Sequence, residues 1–325
     1  MHKRTLLRAA APALAGNGLL GSAPAHAQRY PSKPLRLVIG FAPGAITDTV
    51  ARIIAAKLSA SMGQPVVVEN RSGAGGTLAA DAVAHAAPDG YTLFLGEPGS
   101  MAINPSLMDV RYHPTKDLVA IGQVITTPVA LVANPGFKAK KLADLATLPA
   151  DTVMAYGSAG SGTIQHLSME LFRSASKLPL VHIPYRGGAP ALNDLLSGQT
   201  PLLVVTVPTI AGYLKSGRLV PLAMFGPTRS PLMPDVPTFA QAGYKLATGT
   251  PWQGFFAPAG TPPELVNLLN AEIRNAVSAP EVSTNLLSLG CEVILSSPQE
   301  FARLLNDDIE LWARAIQTAG LKKGG

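Results

Sequence analysis

The chain has one cysteine among its 325 residues, so it can form no intramolecular disulfide. That residue, Cys291, stands among Leu286, Leu287, Leu289 and Val293, which favours a small apolar core residue over a reactive thiol. The six histidines are scattered, and His and Cys do not recur at metal-ligand spacing. We therefore predict no disulfide, no metal site and no cofactor.

The chain also lacks a concentrated run of positive charge. Its 26 Lys and Arg residues stand against 20 Asp and Glu residues, a formal net charge of +6. Three of the basic residues, Lys3, Arg4 and Arg8, belong to the extreme N-terminus; without them 23 basic residues remain against 20 acidic ones, and the net charge falls to +3. Because no Lys- or Arg-rich run is left to bind phosphates, we expect no nucleic-acid partner.

The N-terminal segment is apolar but too short to cross a bilayer. Its apolar stretch, Leu6–Leu20, is interrupted by Pro12 and Asn17, whereas a spanning helix needs about 20 apolar residues. A basic start, an apolar middle and the small-residue motif Ala25–Ala27 are typical of a secretory signal peptide. We expect residues 1–27 to be that signal and the mature protein to reside in a bacterial periplasm. The alternative is an apolar N-terminal helix that stays attached.

A glycine-rich stretch, Gly157–Thr163, lies between a β-prone run and a helix-like pattern. It keeps the glycine spacing of a phosphate-binding P-loop, but Thr163 stands where that loop has lysine. The nucleophile elbow Gly-x-Ser-x-Gly also fails, because Tyr156 and Ala159 stand where its first glycine belongs. Backbone N–H groups at such a turn can hold an anion without a charged side chain. The stretch therefore predicts an uncharged anion cradle, with an ordinary strand-to-helix turn as the alternative.

Short β-like runs alternate with amphipathic helix patterns along the chain. Residues 35–95 run strand, helix, strand, helix, strand, and residues 152–224 repeat that order. The alternation predicts an α/β fold with mainly parallel sheets. Two apolar segments, 124–133 and 247–256, are typical of crossings between lobes, so we expect a hinged cleft. The predicted division is lobe I from residues 28–125 and 251–325, and lobe II from residues 126–250.

Two helix starts carry capping signals. Thr261 and Ser297 each precede a proline, and Glu264 and Glu300 follow three residues later. A hydroxyl residue before the first turn, with Glu at the third position, is typical of a capping box. We expect Thr261 and Ser297 to cap the helices that follow them.

Characteristic short motifs recur in order along nearly the whole mature chain. They are Tyr30–Pro34, Phe41–Asp48, Gln64–Arg71, Gly73–Gly76, Pro88–Leu93, Ala102–Pro105, Gly157–Thr163, Pro184–Ala191, Arg229–Thr238 and Phe256–Pro262. On these motifs the chain resembles the Bug/TctC family, the periplasmic solute receptors of tripartite tricarboxylate transporters. One such motif would be a weak signal, but the ordered series is specific.

The resemblance implies a type II periplasmic-binding-protein fold in which two lobes close on a small organic carboxylate. In the family, two loops typically hold the carboxylate largely through backbone N–H groups and ordered waters. Here those loops are Phe41–Asp48 and Ser158–His166, both rich in Gly, Ala, Ser and Thr and one from each lobe. Uncharged cradles suit capture followed by release. Membrane transporter subunits are the implied partners, and we expect a monomer.

The resemblance places the candidate ligand contacts on these two loops and on the segments that face them. Asp48 equally suits capping of the first helix, and His166 suits packing at a helix start, so these alternatives stay open. The candidates are Phe41, Ala42, Gly44, Ala45, Asp48, Glu97, Ser158, Ser161, Gly162, Thr163, His166, Tyr185, Gly187, Gly188, Val205 and Thr206.

Three positions depart from the family pattern. Val205 stands where the family commonly has an aspartate, and the loss of that acid argues against an amino-acid ligand. Glu97 stands where a small or hydroxylated residue is usual, and a carboxylate there would repel an anion unless it is paired or meets a donor on the ligand. Ala45 replaces a frequent glycine and restricts positive φ. The identity of the carboxylate stays open.

Two other functions are compatible with parts of the pattern. A periplasmic hydrolase could use Ser158 or Ser161 with His166, but no acid that would orient the histidine is evident. A ligand-presenting partner of a sensor kinase would use the same cleft plus a surface patch, which the sequence does not separate from transport. We predict a solute-binding protein and no enzymatic activity.

Overall fold

The computed structural model describes residues 30–246, 249, 251–321 and 323, and in that part of the chain two mixed β-sheets carry helices. The predicted signal segment, residues 1–27, lies outside it. The strands are β1 (Leu35–Ile39), β2 (Val66–Asn70), β3 (Thr92–Gly96), β4 (Leu118–Thr126), β5 (Val129–Ala133), β6 (Met154–Ser158), β7 (Leu180–Pro184), β8 (Leu202–Thr206), β9 (Val220–Phe225), β10 (Trp252–Pro258) and β11 (Glu292–Val293).

Helices follow most of these strands. The α-helices are α1 (Ile46–Met62), α2 (Thr77–Ala84), α3 (Asn104–Leu107), α4 (Ile164–Ser176), α5 (Gly188–Leu196), α6 (Val207–Ile210), α7 (Pro263–Ser278), α8 (Pro280–Ser288) and α9 (Pro298–Thr318). Short stretches of other helix types cover Ala74–Gly76, Gly99–Ile103, Leu142–Thr147 and Ala211–Tyr213. Across the described residues, none of the helices has both the length and the apolar content needed to span a membrane.

The two sheets define two lobes, which confirms the predicted α/β class. The first sheet has the order β11-β4-β10-β3-β1-β2, and the second has the order β7-β6-β8-β5-β9. In the first, β1 runs parallel to β2 and β3; in the second, β6 runs parallel to β7 and β8. The prediction of mainly parallel sheets needs a correction, because β10 and β5 each lie antiparallel to both of their neighbours.

The antiparallel strands are those by which the chain enters a lobe from the cleft. Only Thr127 and Pro128 separate the end of β4 in the first sheet from the start of β5 in the second. Two parallel strands that follow each other in the chain need a crossover connection of a dozen or more residues. A strand that directly follows the connection between the lobes instead starts at the cleft and runs away from it. β5 and β10 therefore oppose β1, β3, β6 and β8, whose carboxyl ends lie towards the cleft.

Each lobe has its own apolar core, and the last helix packs in both. Helix α1 buries Val50, Ile54 and Leu58 at the 3.6-residue spacing of one helix face, and it ends where Gly63 takes a left-handed φ of 70°. Helix α9 places Phe301 and Leu305 against first-lobe residues, whereas Trp312 and Ile316 lie in the second-lobe core. The predicted division of the chain stays a prediction, and α9 belongs to neither lobe alone.

The local predictions had mixed outcomes. The Ser297 hydroxyl accepts from the Glu300 N–H and the Glu300 carboxylate reaches back to the Ser297 N–H, which confirms that capping box. The Thr261 cap is wrong, because its hydroxyl donates to the Pro258 carbonyl at 2.7 Å instead. Cys291 is buried in the first-lobe core, where burial raises the pKa of its thiol to about 12, so its prediction as a core residue is confirmed.

Candidate functional site

The lobes meet along a seam that has no room for side chains. A Cβ atom on Gly162 of the second lobe would overlap the Asn104 Oδ1 atom of the first lobe. A Cβ on Gly75 would lie 3.2 Å from the Ser161 carbonyl oxygen, and one on Gly99 would lie 3.3 Å from the Gly162 carbonyl oxygen. Gly162 also has a φ of +71°, which favours glycine. These glycines therefore allow the backbones of the two lobes to touch.

A cavity of about 340 Å³ lies between the lobes beyond the ends of the strands, and we call it the cleft cavity. The start of α1 lines it from the first lobe, and the start of α5 lines it from the second. Its lining residues are Phe41, Gly44, Ala45, Ile46, Thr47, Thr49, Glu97, Ala159, Gln165, Gly188, Ala189, Leu192, Asn193, Val205, Thr206, Pro208, Thr209, Tyr213, Gln253 and Leu289. These lining residues include no Lys, Arg or His, and Glu97 is the one carboxylic acid among them.

A second cavity, of about 550 Å³, lies on the other side of Phe41 and Ala159, which line both. We call it the glycine cavity, because glycines supply much of its wall. Its lining residues are Gly40, Phe41, Ala42, Ser72, Gly73, Ala74, Gly75, Met108, Ala159, Gly160, Ser161, Pro184, Tyr185, Arg186 and Gly187. The exposed Arg186 side chain gives this cavity a positive charge that the cleft cavity does not have.

The structure divides the sixteen predicted contact residues into three groups. Seven line the cleft cavity: Phe41, Gly44, Ala45, Glu97, Gly188, Val205 and Thr206. Four more line the glycine cavity alone: Ala42, Ser161, Tyr185 and Gly187. Five line neither cavity: Asp48, Ser158, Gly162, Thr163 and His166. The structure gives this last group positions within the protein framework instead of on a cavity wall.

Asp48 holds the first loop in place. Its carboxylate accepts from the Gly44 N–H at 3.0 Å, from Arg52 Nε at 3.0 Å and from Asn70 Nδ2 at 2.9 Å. Burial alone would raise the pKa of Asp48, but these hydrogen bonds hold it below its usual value. Gly44 supplies the positive φ of the loop, 82°, and Ala45 has an ordinary φ of −66°, so alanine fits there without strain. Asp48 is thus a positioning residue.

Three polar side chains of the second loop, those of Ser158, Thr163 and His166, bond within its own lobe. Ser158 Oγ lies 2.7 Å from His182 Nε2, and the His182 ring stacks on His166 with centroids 4.0 Å apart. The Gly162 N–H donates to His166 Nδ1 at 3.2 Å, and Thr163 Oγ1 caps α4 by accepting from the His166 N–H. Burial lowers the pKa of both histidines, that of His182 to about 3, so both are neutral at physiological pH.

This network also bears on the hydrolase alternative. Ser158 is buried and its hydroxyl is bonded to His182, whereas Glu170, the acid on the same helix as His166, accepts from Tyr156 and Arg173. Ser158 lines neither cavity, so its hydroxyl is not presented to a molecule bound there. The sequence did not reveal His182, because its partner lies 24 positions earlier and only the pairing of β6 with β7 brings the two together.

Two polar side chains in the cleft cavity have oxygen atoms without partners. Within the described residues, Oε1 of Glu97 and Oε1 of Gln253 are both buried and make no hydrogen bond. Gln253 Nε2 lies 3.2 Å from the Thr47 hydroxyl, which orients its amide. Burial raises the pKa of Glu97 to about 8. Nothing in the local sequence marks Gln253 as a residue of the cavity wall.

Among residues 30–246, 249, 251–321 and 323, no group of three or more His, Cys, Asp or Glu side chains is arranged to hold a metal ion. The acidic and imidazole groups described above have protein partners or stand alone. The site is therefore one of hydroxyls, amides, helix N-termini and a single carboxylic acid.

Comparison with known proteins identifies the relatives of this architecture. The family described as "Tripartite tricarboxylate transporter family receptor" matches residues 50–321. The chain is 36% identical over 307 residues to protein BugT of Bordetella pertussis, covering 93% of this chain and 94% of BugT.

Solved structures of related proteins have a similar fold. R. palustris Rpa4515, in a structure with adipate, has a TM-score of 0.84 and 33% identity, covering 90% of this chain and 99% of its own. MatC from Rhodopseudomonas palustris, with bound malate, has a TM-score of 0.83 and 34% identity, covering 88% and 100%. Fold, motifs and relatives agree that the chain belongs to the tripartite tricarboxylate transporter family receptors, the Bug/TctC family of periplasmic solute-binding proteins.

Proposed function

We propose that this protein is exported to the periplasm by residues 1–27, captures a small organic carboxylate in the cleft cavity and delivers it to the membrane subunits of a tripartite tricarboxylate-type transporter. The observation that carries the proposal is the cleft cavity itself, which both lobes line with uncharged polar groups. Adipate and malate, the ligands of the two structural relatives, are carboxylates of suitable size. A cavity shared by two lobes lets ligand binding favour the closed arrangement.

Two helix N-termini provide the attraction for an anion. The first turns of α1 and α5 line the cleft cavity from opposite lobes through Ala45, Ile46, Gly188 and Ala189. Free N–H groups and the helix dipole make such ends favourable for negative charge. Thr206 adds a hydroxyl beside them. Because no cation takes part, each contact is modest, which suits a receptor that must release its cargo.

The test is a variant that repels anions without weakening the fold. Ala189 is exposed in the first turn of α5, so Ala189→Asp adds a carboxylate where a helix tolerates one well. The matched control, Thr284→Asp, adds the same charge to the exposed surface of α8, away from both cavities.

Thermal shift and calorimetry with adipate, malate and other small carboxylates measure the outcome. A ligand at 100 times its Kd should add about 2.7 kcal/mol to the stability of the wild type. We expect Ala189→Asp to abolish that gain and Thr284→Asp to keep it. A folded wild-type protein that no carboxylate stabilises would contradict the proposal, as would equal binding by Ala189→Asp.

A further inference from the structure

The positive charge of the chain after the predicted signal is concentrated in one lobe. Residues 126–250 contain ten Lys and Arg residues against five Asp and Glu residues, a formal net charge of +5. The remaining residues, 28–125 and 251–325, contain 13 Lys and Arg residues against 15 Asp and Glu residues, a net charge of −2. The overall charge of +3 is therefore the difference between a basic second lobe and a slightly acidic first lobe.

The second lobe collects lysines at the end of its sheet that lies away from the cleft. Strands β6, β7, β8 and β9 begin at that end, and β5 finishes there, because β5 starts at the cleft and lies antiparallel to β8 and β9. Neighbouring strands lie about 4.8 Å apart, so this end of the five-stranded sheet is about 20 Å across. The segments that meet there are 134–153, 177–179, 197–201 and 214–219, and we call the surface they form the basic edge.

Five exposed lysines belong to the basic edge. They are Lys138, Lys140, Lys141, Lys177 and Lys215. The pairing of Ala133, at the end of β5, with Val220, at the start of β9, brings the turn that carries Lys215 beside the segment that follows β5. Arg218 in the same turn is also exposed, and its guanidinium lies 5.3 Å from the centroid of the Tyr213 ring.

The charge of these lysines is not neutralised within the protein. Among the described residues, none of the five forms an ion pair with a carboxylate. The acids of the same segments are Asp144 and Asp151, and the Asp144 carboxylate accepts from the backbone N–H groups of Lys140 and Lys141. The basic edge therefore presents a concentrated positive charge to its surroundings.

The composition of the basic edge fits a lipid surface better than a protein partner. Lysine is depleted in protein–protein interfaces, whereas its flexible, compact charge suits the diffuse attraction of phosphate headgroups. Val153, directly before β6, has 66% of its surface exposed, the largest fraction among the exposed large apolar side chains of the described residues. Cations beside an exposed apolar side chain are typical of a surface that binds at a membrane interface.

We propose that the basic edge docks this protein on an anionic phospholipid bilayer, with the five lysines among the headgroups. The cleft lies at the opposite end of the same sheet, and the slightly acidic first lobe is held away from the lipid. The docked protein therefore keeps its cleft cavity uncovered by the bilayer. Docking does not depend on which ligand the cleft binds, so its test is independent of the proposed function.

Vesicle flotation tests the proposal with the chain that starts at residue 28, because the apolar N-terminal segment could bind lipid by itself. The vesicles are phosphatidylcholine alone and phosphatidylcholine mixed with phosphatidylglycerol, an anionic lipid. The test variant neutralises three lysines of the basic edge, one from each of three segments, whose side chains make no hydrogen bond within the described residues. It is Lys138→Gln/Lys177→Gln/Lys215→Gln.

The matched control removes the same charge from the first lobe and α9. It is Lys116→Gln/Arg274→Gln/Arg303→Gln, at three exposed positions that form no ion pair within the described residues. Both triple variants lower the net charge of the chain from +3 to zero. Melting temperatures establish that each protein is folded.

Wild type should bind vesicles that contain phosphatidylglycerol at low salt, and should not bind phosphatidylcholine alone. Each lysine at an anionic surface should contribute about fivefold to the affinity, so the basic-edge variant should bind about 100-fold more weakly. The control should stay within about twofold of wild type. Salt at about 1 M, where the Debye length is about 3 Å, should abolish the binding.

Equal weakening of the two triple variants would overturn the proposal, since net charge instead of the basic edge would then set the affinity. Failure of folded wild type to bind anionic vesicles would overturn it as well. Binding to bacterial inner-membrane vesicles that protease treatment abolishes, with none to pure lipid, would assign the basic edge to a membrane-protein partner and overturn the assignment to lipid.

Discussion

Two loops of similar composition have different surroundings in the structure. Phe41–Asp48 and Ser158–His166 are both strand-to-helix turns of small and hydroxylated residues. The first loop lines the cleft cavity over most of its length, with Asp48 holding it from behind. The second contributes Ala159 and Gln165 to that cavity, while its remaining polar groups bond within the lobe or touch the other lobe. Similar composition thus lines a cavity in one loop and lies against the other lobe in the second.

The largest effect should come from blocking closure at the second loop. Gly162→Ala places a methyl group against the Asn104 side chain, so the lobes can meet as described only if that buried side chain moves. If the closed form falls to about 1% of the population, apparent affinity for any cleft ligand falls about 100-fold. Calorimetry measures the affinity, and small-angle scattering measures the compactness of the ligand-bound protein.

The control for this variant is Gly217→Ala. Gly217 has a φ of +67°, close to the +71° of Gly162, but open space where a Cβ would lie. Gly217→Ala therefore introduces a similar backbone strain without a steric clash. If both variants bind equally well, the seam plays no part in closure.

The second-largest effect should be a pH-dependent change in stability that comes from Glu97 on the wall of the cleft cavity. An unfolded chain loses the Glu97 proton near 4.5, whereas burial raises the pKa of Glu97 to about 8 in the folded protein. The unfolded state therefore binds fewer protons across that range, and the stability contributed by protonated Glu97 is lost as pH rises from 4.5 towards 8. Unliganded Glu97→Gln should melt above wild type by a margin that grows over that interval. Glu310→Gln, the same acid-to-amide change on the exposed surface of α9, is the flat reference. Parallel melting curves would contradict the burial of this acid.

Removing the charge of Asp48, which holds the first loop, should lower the free energy of unfolding of the protein. Asp48→Asn gives up the charge-assisted bonds from Arg52 and the Gly44 N–H, at a cost of about 1–3 kcal/mol. Because the folded pKa of Asp48 is depressed, the difference is full above the unfolded value of 3.8 and disappears as pH falls through the folded value. Urea unfolding at neutral and acidic pH measures it. Asp109→Asn, on an exposed pair with Lys323, is the control, and equal losses would remove the special role of Asp48.

The smallest effect on binding should come from the histidine network. Ser158→Ala removes the partner of His182 Nε2 and should cost about 1–2 kcal/mol of stability. Since Ser158 lines neither cavity, ligand affinity should stay within about twofold. Urea unfolding and calorimetry on the same preparation separate the two quantities. A large loss of affinity with unchanged stability would instead indicate that Ser158 contacts the ligand.

What the sequence could predict was mostly local. The strand and helix alternation, the Ser297 capping box and the apolar setting of Cys291 each depend on residues within one or two turns, and all three predictions are confirmed. The family motifs added the two-lobed class and the absence of an enzymatic role, which the relatives also confirm.

What the sequence could not predict depends on contacts between distant segments. The direction of β10 and the partner of Ser158 are both set by strand pairing, for which the local pattern has no signal. The sixteen-residue site stays a prediction, and the structure divides it by which cavity, if any, each residue lines. Asp48 illustrates the reason, because a buried acid at a helix start has the same local sequence whether it binds a ligand or holds a loop.

The most direct test of the central claim is a crystal structure of the protein with a carboxylate that raises its melting temperature. We predict that the ligand occupies the cleft cavity, with its carboxylate between the starts of α1 and α5. A ligand in the glycine cavity beside Arg186, with the cleft cavity empty, would contradict the account.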